Sequence, residues 1–493
     1  MGNISYKSTR GLKGNFTASQ AIIQGLAKDG GLFVPDRIPD IKEELHLIKN
    51  LSYKEMAYFV MSKFFTDFTE EELKECIDKA YGDKFDTTEI APLKKVDDTY
   101  FLELFHGPTL AFKDMALSIL PYLMKTAAKK ENIKSEIVIL TATSGDTGKA
   151  ALEGFSEVPG VKIIVFFPEE GVSEIQKMQM RTHKGNNTYV VGINGNFDDA
   201  QTGVKEVFAD KDLEDKLQKS NYMFSSANSI NIGRLVPQIV YYFHAYAELF
   251  RKGEITWGDK INVTVPTGNF GNILAAYYAK NMGLPIDKLI CASNTNKVLF
   301  DFLTSGRYDK NRDFVTTISP SMDILISSNL ERLLFELSHG DTSKVNELME
   351  DLKAKGNYKL EGDMHKGLLD FIGGYTDEEK TKNSISQVFK NHKYLMDTHT
   401  AVAYSVYTEN KFNSRKNIII STASPYKFTA SVMRAIDSKY NESDDFKLLK
   451  EMGKLLDSSV PAQIKDIETA PIVHNGVCDK HEIKNMVEKI LFN

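Results

Sequence analysis

Short apolar runs rich in β-branched residues recur along the chain from about residue 100, and segments with helical periodicity separate most of them. Such runs predict buried strands of a parallel sheet, because both faces of the strand are covered. Strands that alternate with helices predict an α/β fold of parallel twisted sheets with helices on both faces. The predicted strands are 137–140, 163–167, 189–193, 263–265, 289–292 and 418–420.

The pattern also divides the chain into regions. Residues 1–92 contain a glycine-rich turn at 29–35 and charged helical segments such as 69–80. Residues 93–493 carry the alternating strands and helices, with a smaller subdomain expected at roughly 130–225. The stretch 340–395 is rich in lysine and acidic residues, which predicts solvated helices.

Two polar, glycine-containing turns follow predicted strands. Residues 141–148 and 266–272 each stand between a strand and a helix start. This order directs backbone N–H groups at one point, which suits a carboxylate or a phosphate. Gly268 and Gly271 permit close approach of an anion. Taken singly, each turn is explained equally well as an ordinary βα connection with a capping Asn or Asp.

Neither turn has the spacing of a nucleotide-binding motif. Gly145 and Gly148 lie too close together for a phosphate-binding P-loop, and Ala150 stands where that motif has Ser or Thr. The turn at 266–272 lacks the first Gly-x-Gly pair of a dinucleotide fingerprint.

The segment 104–114 places Lys113 behind a Gly-Pro turn and among apolar residues. The apolar spacing from 115 to 124 predicts an amphipathic helix that begins at Lys113. Burial and the helix dipole both disfavour a cation there. Lys113 is therefore a candidate neutral amine that forms a Schiff base with an aldehyde cofactor. The alternative is an exposed first-turn lysine, and the two glycine turns favour the cofactor hypothesis.

Composition limits the classes of protein that remain. The chain has 493 residues, more than one compact core holds. Its 42% hydrophobic and 26% charged content is typical of a globular enzyme. The net charge of −6, with acids and bases interspersed, argues against a nucleic-acid partner.

The cysteines and the N-terminus bear on location. Cys76, Cys291 and Cys478 are far apart and odd in number, which predicts neither a disulfide framework nor a metal cluster. We therefore expect no bound metal and a cytoplasmic protein. The first residues lack the apolar core of a signal peptide, and no apolar run is long enough to cross a membrane. We expect no membrane association.

In sum, these residues resemble the threonine synthase family of fold-type II pyridoxal-phosphate enzymes over most of the chain. The resemblance is carried by 105–114, similar to the family's cofactor-lysine motif, by 143–148, similar to its substrate-carboxylate loop, and by 266–272, similar to its cofactor-phosphate cup. Further matches in order are 173–182, 195–201, 228–238, 319–323, 328–332, 397–403 and 422–428.

Two positions depart from the family pattern. Thr398 stands where the family usually has Pro, and Ser424-Pro425-Tyr426 stands where it usually has His-Pro-Ala. The second departure lies in the turn expected beside the cofactor ring nitrogen. It leaves the fit of the substrate, and with it the reaction outcome, open.

The resemblance implies pyridoxal 5'-phosphate as cofactor and a lyase reaction. O-Phosphohomoserine and water would be converted to L-threonine and phosphate, the last step of threonine biosynthesis. The alternative is a phospho-lyase or dehydratase on the same scaffold that releases a keto acid. We expect a monomer or a homodimer.

The resemblance also implies roles for particular residues. Lys113 is the expected catalytic residue and cofactor attachment point. Thr422 is expected beside the ring nitrogen, and the alternative is a threonine at a strand end whose hydroxyl is hydrogen-bonded within the protein. Arg234 is expected to bind the substrate phosphate, and the alternative is a surface ion pair. The other expected cofactor-binding residues are Asp146, Thr422, Gly268, Asn269, Phe270, Gly271 and Asn272. The expected substrate-binding residues are Ser144, Gly145 and Thr147 for the carboxylate, with Asn231 and Arg234 for the phosphate.

Overall fold

All six predicted strands form in the computed structural model, which describes residues 2–143, 145–170, 172–410, 415–441 and 444–492. Each observed strand extends the predicted one by one to three residues at an end. The strands are β1 Tyr6–Ser8, β2 Phe33–Pro35, β3 Leu93–Val96, β4 Thr99–Glu103, β5 Glu136–Ala142, β6 Val161–Pro168, β7 Thr188–Asn194, β8 Tyr222–Ser225, β9 Ile261–Pro266, β10 Ile286–Ser293, β11 Arg307–Asp309, β12 Asn357–Lys359, β13 Phe371–Tyr375, β14 Asn417–Ser421 and β15 Gly476–Asp479.

Several helices begin at a side chain that caps them. Thr69 and Glu72 form a capping box at the start of the helix predicted over 69–80, which is thereby confirmed. The helices are α1 Ala18–Gln24, α2 Tyr53–Phe64, α3 Glu70–Ala80, α4 Asp114–Leu117, α5 Leu120–Lys130, α6 Asp146–Phe155, α7 Glu174–Arg181, α8 Phe197–Ala209, α9 Lys211–Lys219, α10 Ile232–Arg251, α11 Gly271–Asn281, α12 Val298–Ser305, α13 Leu330–Leu337, α14 Thr342–Ala354, α15 Gly362–Lys366, α16 Glu378–His392, α17 Thr398–Glu409, α18 Thr429–Ile436, α19 Asp445–Leu455 and α20 Ile483–Phe492.

Within the described residues, the strands form two large sheets. The larger sheet has the order β13-β10-β9-β14-β4-β3, and all its neighbours are parallel except β3 and β4. The smaller sheet has the order β15-β7-β6-β5-β8 and is parallel throughout. Helix α10 is apolar on nearly all sides and buried along most of its length, as expected of a central helix. The predicted α/β fold is confirmed.

The carboxyl ends of the parallel strands bring the predicted site segments together. The segment that carries Lys113 follows β4, the 266–272 turn follows β9, and the 422–428 segment follows β14. These three strands are neighbours in the larger sheet. The 143–148 turn follows β5 of the smaller sheet. Open α/β sheets bind ligands at this edge.

Strands β12, β13 and β15 lie outside the expected arrangement. The expectation of helices alone over 340–395 is wrong, because β12 lies there and β13 forms the edge of the larger sheet. Gly374 permits this strand, since a Cβ on it would lie 2.3 Å from Val406 Cγ1, and glycine weakens the strand signal in the sequence. Strand β15, far from the 130–225 range, pairs with β7 and extends the smaller sheet.

The helix predicted from Lys113 to residue 124 is also corrected. The structure has two helices here, α4 and α5, separated by Ser118 and Ile119. The cause is Pro121, which has no N–H to donate to the carbonyl of Leu117 and whose ring crowds that carbonyl. The chain therefore turns after one helical turn, and Lys113 caps a short helix.

In the described part of the chain, no helix combines the length and apolarity needed to cross a membrane.

The contact between α4 and α6 gives a prediction about stability. A Cβ on Gly154, in α6, would lie 2.3 Å from the Leu117 carbonyl oxygen. Helix propensity alone favours alanine by roughly 1 kcal/mol, but the overlap opposes it. We expect Gly154→Ala to lower the free energy of unfolding in urea by about 1–3 kcal/mol.

The matched control is Gly82→Ala, whose Cβ would lie 3.8 Å from the Asp78 carbonyl oxygen, an ordinary van der Waals contact. It should change the urea midpoint little. A Gly154→Ala variant more stable than the parent protein would contradict the packing argument.

Candidate active site

Lys113 is positioned by a short bridge between two strand ends. Ala111 pairs with Ala423, and the N–H of Phe112 donates to the carbonyl of Thr422 at 2.8 Å. Leu110 adopts a positive φ of 61°, which turns the chain into the bridge. The Lys113 amine is thereby carried to the carboxyl edge of the larger sheet, where 11% of its side chain is exposed.

The surroundings of the Lys113 amine favour its neutral form. Burial lowers its pKa, and the charges of Lys427 and Arg234 lower it further, while Asp146 opposes the shift. The nearest carboxylate oxygen, Asp146 Oδ2, lies 3.3 Å from Lys113 Nζ. The lowered pKa agrees with the expectation of an amine nucleophile at this position.

The Asp146 carboxylate is buried and accepts hydrogen bonds from several side chains. Oδ2 faces Lys113 and the Ser321 hydroxyl at 3.2 Å. Oδ1 faces Gln176 Nε2 at 2.8 Å and Lys427 Nζ at 3.2 Å. Burial alone would raise the pKa of Asp146, but the charges of Lys427 and Lys113 hold it well below its ordinary range. Asp146 is therefore ionised in the cleft.

The turn that precedes Asp146 is organised by one hydroxyl. Thr143 Oγ1 accepts the N–H groups of Gly145 at 3.0 Å and Gly148 at 2.9 Å. Gly145 has φ 134°, a conformation that requires glycine. Thr147 is half-buried at the start of α6. Ser144, the third expected residue of the carboxylate loop, lies outside the described residues.

The 266–272 turn forms a cradle at the start of α11. Phe270, with φ 63°, turns the chain so that α11 begins at Gly271, and the first N–H groups of a helix have no intrahelical acceptor. A Cβ on Gly268 would lie 2.4 Å from the Ser321 carbonyl oxygen. The turn is therefore closed on its outer side by the 319–323 segment.

Unpaired amide groups surround this cradle. The hydroxyls of Tyr241 and Tyr242 both donate to Asn272 Oδ1, at 2.6 and 2.5 Å. Among the described residues, Asn272 Nδ2 and Asn329 Nδ2 are buried without an acceptor. Asn329 Nδ2 lies 3.4 Å from where a Cβ on Gly271 would stand. Buried donors at a helix start fit the phosphate of a cofactor.

Arg234 is a buried cation beside the same cleft. Nη1 donates to the Ala227 carbonyl at 3.0 Å, and within the described residues Nε has no acceptor. Burial lowers the pKa of Arg234 to about 10. No carboxylate among the described residues forms an ion pair with it, so the surface ion pair considered from the sequence is not what the structure contains.

The side-chain amide of Asn231 makes its hydrogen bonds within the protein. Its Nδ2 donates to the carbonyls of Ile22 and Ser226, both at 2.9 Å, and its Oδ1 accepts the Gly233 N–H at 2.8 Å. Both amide hydrogens are thus used within the protein. The residue caps α10 and fixes the turn from which Arg234 projects.

Several residues near the site were not among the expected ones. Lys427 and Gln176 contact Asp146 directly, and Ser321 links it to His399, whose Nε2 accepts the Ser321 N–H at 3.1 Å. His399 Nδ1 in turn faces Asp397 Oδ2 at 2.7 Å. All lie in segments noted for the family resemblance, and that is the signal that could have found them.

Lys149, in α6, has partners of its own. Its amine contacts Glu153 Oε2 and His183 Nδ1, both at 3.0 Å. In the described part of the chain, no group of three or more His, Cys, Asp or Glu side chains could hold a metal ion.

Comparison with known proteins identifies the class. The family model described as "Pyridoxal-phosphate dependent enzyme" matches residues 87–421, which include Lys113, Asp146 and the 266–272 cradle. The chain therefore has the fold and the cofactor, pyridoxal phosphate, of fold-type II enzymes. Models described as "Threonine synthase N terminus" and "Threonine synthase, C-terminal" match residues 5–81 and 400–476. The chain belongs to the threonine synthase family.

Individual relatives agree with this assignment. Threonine synthase of Pseudomonas aeruginosa is 40% identical over 87% of this chain and 90% of its own. The crystal structure of PLP-bound threonine synthase from Brucella melitensis matches with a TM-score of 0.88 and 35% identity, covering 99% of both chains. Threonine synthase-like 1 of Pongo abelii is 39% identical over 96% of this chain, which spans only 66% of that protein.

One further histidine near Lys113 gives a prediction about pH. His106 Nδ1 lies 2.6 Å from Asp86 Oδ1, and Nε2 lies 3.0 Å from Glu103 Oε2. Burial disfavours the charge, but hydrogen bonds to both carboxylates raise the pKa of His106 to about 9. The protonated ring thus links the start of the segment that carries Lys113 to both Asp86 and Glu103.

The pKa of His106 in the folded state lies above its value of about 6.5 in the unfolded chain, so protonation of His106 stabilises the protein. The full effect is present below about pH 6.5. This stability is lost as the pH rises through about 9. His106→Gln should therefore lower the urea midpoint more at about pH 6 than at about pH 10. An equal loss at both pH values would show that the imidazolium contributes nothing specific.

Proposed function

We propose that this chain is a lyase that converts O-phosphohomoserine and water to L-threonine and phosphate with pyridoxal phosphate. The proposal rests on two buried groups that lie close together. Lys113 is an amine whose pKa is lowered, and the guanidinium of Arg234 is near enough to contribute to that shift. The first group suits a cofactor aldehyde, and the second suits a substrate phosphate. Membership of the threonine synthase family supports the combination.

We assign the cofactor to residues that follow four strands, β4, β9, β14 and β5. Lys113 would hold its aldehyde, and the backbone of Gly268, Asn269, Phe270, Gly271 and Asn272 would hold its phosphate. Thr422 would serve the ring nitrogen, and Asp146 would accept a hydrogen bond from the ring hydroxyl. When bound, pyridoxal phosphate supplies an electron sink that acidifies the substrate carbons next to the amine.

The protein's own groups then handle the substrate. Gly145 and Thr147, with Ser144, form the turn that binds its carboxylate at the start of α6. The Gly145 N–H is held by Thr143, so Gly145 contributes the conformation of the turn and Thr147 its hydroxyl. Lys113 Nζ takes and returns protons at the substrate carbons, for which a lowered pKa is required. Arg234 binds the phosphate until it leaves. Asn231, whose donors are used within the protein, acts on the substrate through the placement of Arg234.

The wider setting is also part of the proposal. We infer a role in threonine biosynthesis, a cytoplasmic location, and action as a monomer or homodimer. The two sheets move relative to one another as the substrate is enclosed, because an intermediate exposed to water would be hydrolysed early.

A product balance tests the reaction. The cofactor-loaded protein is incubated with O-phosphohomoserine, and phosphate, threonine and keto acid are quantified together. We expect phosphate matched by threonine, and neither product from Lys113→Ala, which should keep its fold by circular dichroism. Phosphate matched by keto acid would instead establish the phospho-lyase alternative, which the 424–426 departure leaves open. If no phosphate were released, O-phosphohomoserine would not be the substrate.

Arg234 gives a second test of the substrate. Arg234→Lys keeps a charge but loses the planar fork that matches a phosphate. We expect kcat/KM for O-phosphohomoserine to fall about 100-fold and inhibition by inorganic phosphate to weaken in parallel. The control is Arg251→Lys, at the other end of α10 and paired with Glu248. Undiminished inhibition by phosphate in Arg234→Lys would remove Arg234 from the phosphate site.

A further inference from the structure

Two lysines share the single carboxylate at the centre of the site. Lys113 Nζ lies 3.3 Å from Asp146 Oδ2, and Lys427 Nζ lies 3.2 Å from Asp146 Oδ1. Only 1% of the Lys427 side chain is exposed. Two ammonium groups beside one carboxylate leave a buried net positive charge, which is costly. One of the two lysines is therefore expected to be neutral.

The contacts of Lys427 favour the charged form for that lysine. Besides Asp146, its amine donates to the Thr109 carbonyl at 2.8 Å. Burial raises the pKa of the Asp114 carboxyl to about 6, and the N–H and hydroxyl of Thr109 and the charge of Lys427 oppose that shift. Lys427 thus contacts one carboxylate and one carbonyl, both of which accept hydrogen bonds from an ammonium, and a second carboxyl lies within reach of its charge.

The contacts of Lys113 favour the neutral form. The charged groups that act on it are Asp146, which is shared, and the cations Lys427 and Arg234. The imidazole of His399, on α17, also lies near enough to act on Asp146. No second carboxylate among the charges that act on Lys113 compensates for these cations.

We propose that Lys427 is a positioning residue whose ammonium group compensates the negative charge of Asp146. Lys113 therefore stays a neutral amine that can react with the cofactor aldehyde. Lys427 touches no reacting atom in this account. It acts through Asp146, whose two oxygens it shares with Lys113. The inference rests on the proposed role of Lys113, but its test needs no substrate, so failure of the proposed reaction would not affect it.

The turn that carries Lys427 explains how the lysine is held in place. The 3₁₀ helix Pro425–Phe428 follows the bridge to the Lys113 segment, and the Ser424 N–H donates to the Leu110 carbonyl at 3.0 Å. The same backbone contacts therefore fix both lysines. A shift of this turn would move Lys427 and Lys113 together.

The test is competitive acylation of the cofactor-free full chain across a pH series. Acetic anhydride reacts with neutral amines, and mass spectrometry of the Lys113 peptide gives the midpoint of its titration. Lys427→Gln removes the charge but keeps a donor for the Thr109 carbonyl. We expect the Lys113 midpoint to rise by about one pH unit or more, so that acylation near neutral pH slows about tenfold.

Two other variants separate charge from structure. Lys427→Arg keeps the charge and should restore a midpoint near that of the parent protein. Lys149→Gln removes a buried lysine that contacts Glu153 and His183 and should leave the Lys113 midpoint unchanged. An unchanged midpoint in Lys427→Gln, or an equal shift in Lys149→Gln, would overturn the proposal.

The rate of cofactor uptake provides a second readout. Lys427→Gln should take up pyridoxal phosphate about tenfold more slowly near neutral pH and recover at higher pH. If Lys427→Gln does not fold, Lys427→Met serves for both measurements, since it fills the same buried volume without charge. Slow uptake that does not recover at higher pH would show a structural defect and overturn the proposal.

Discussion

The buried carboxylate of Asp146 is the contact on which the geometry of the site depends. Asp146 belongs to α6, which follows β5 of the smaller sheet. It nevertheless forms ion pairs with Lys113 and Lys427, which follow β4 and β14 of the larger sheet. A carboxylate without partners is costly to bury. Contacts with both lysines offset that cost, and they link the two sheets at Asp146.

Local backbone constraints bring Lys113 to that carboxylate. Pro121 leaves the Leu117 carbonyl without a helical N–H, and Gly154 of α6 gives that carbonyl the space it occupies. The helix after Lys113 therefore ends after a single turn and packs closely on α6, whose first residue is Asp146. The same packing places the amine and the carboxylate within ion-pair distance.

The sequence is informative where local chemistry determines the structure. The β-branched runs and the glycine turns of 143–148 and 266–272 could be recognised because a strand and a turn depend on neighbouring residues. The contacts of Asn231 with Ile22 and of Lys427 with Thr109 join residues 209 and 318 positions apart, which periodicity does not encode. Strand β13 was missed because its two glycines serve tertiary contacts, Gly373 with Phe300 and Gly374 with Val406.

The turn at 424–426, where the chain departs from the family pattern, lies between the Lys113 segment and the C-terminal part of the chain. Ala423 pairs with Ala111, and Lys427 reaches Asp146. The Tyr426 hydroxyl lies 3.1 Å from Ser458 Oγ, beyond α19, so this substituted side chain contacts the C-terminal part of the chain. An effect of Tyr426 on the reaction would therefore reach the cleft through the turn that carries Lys427.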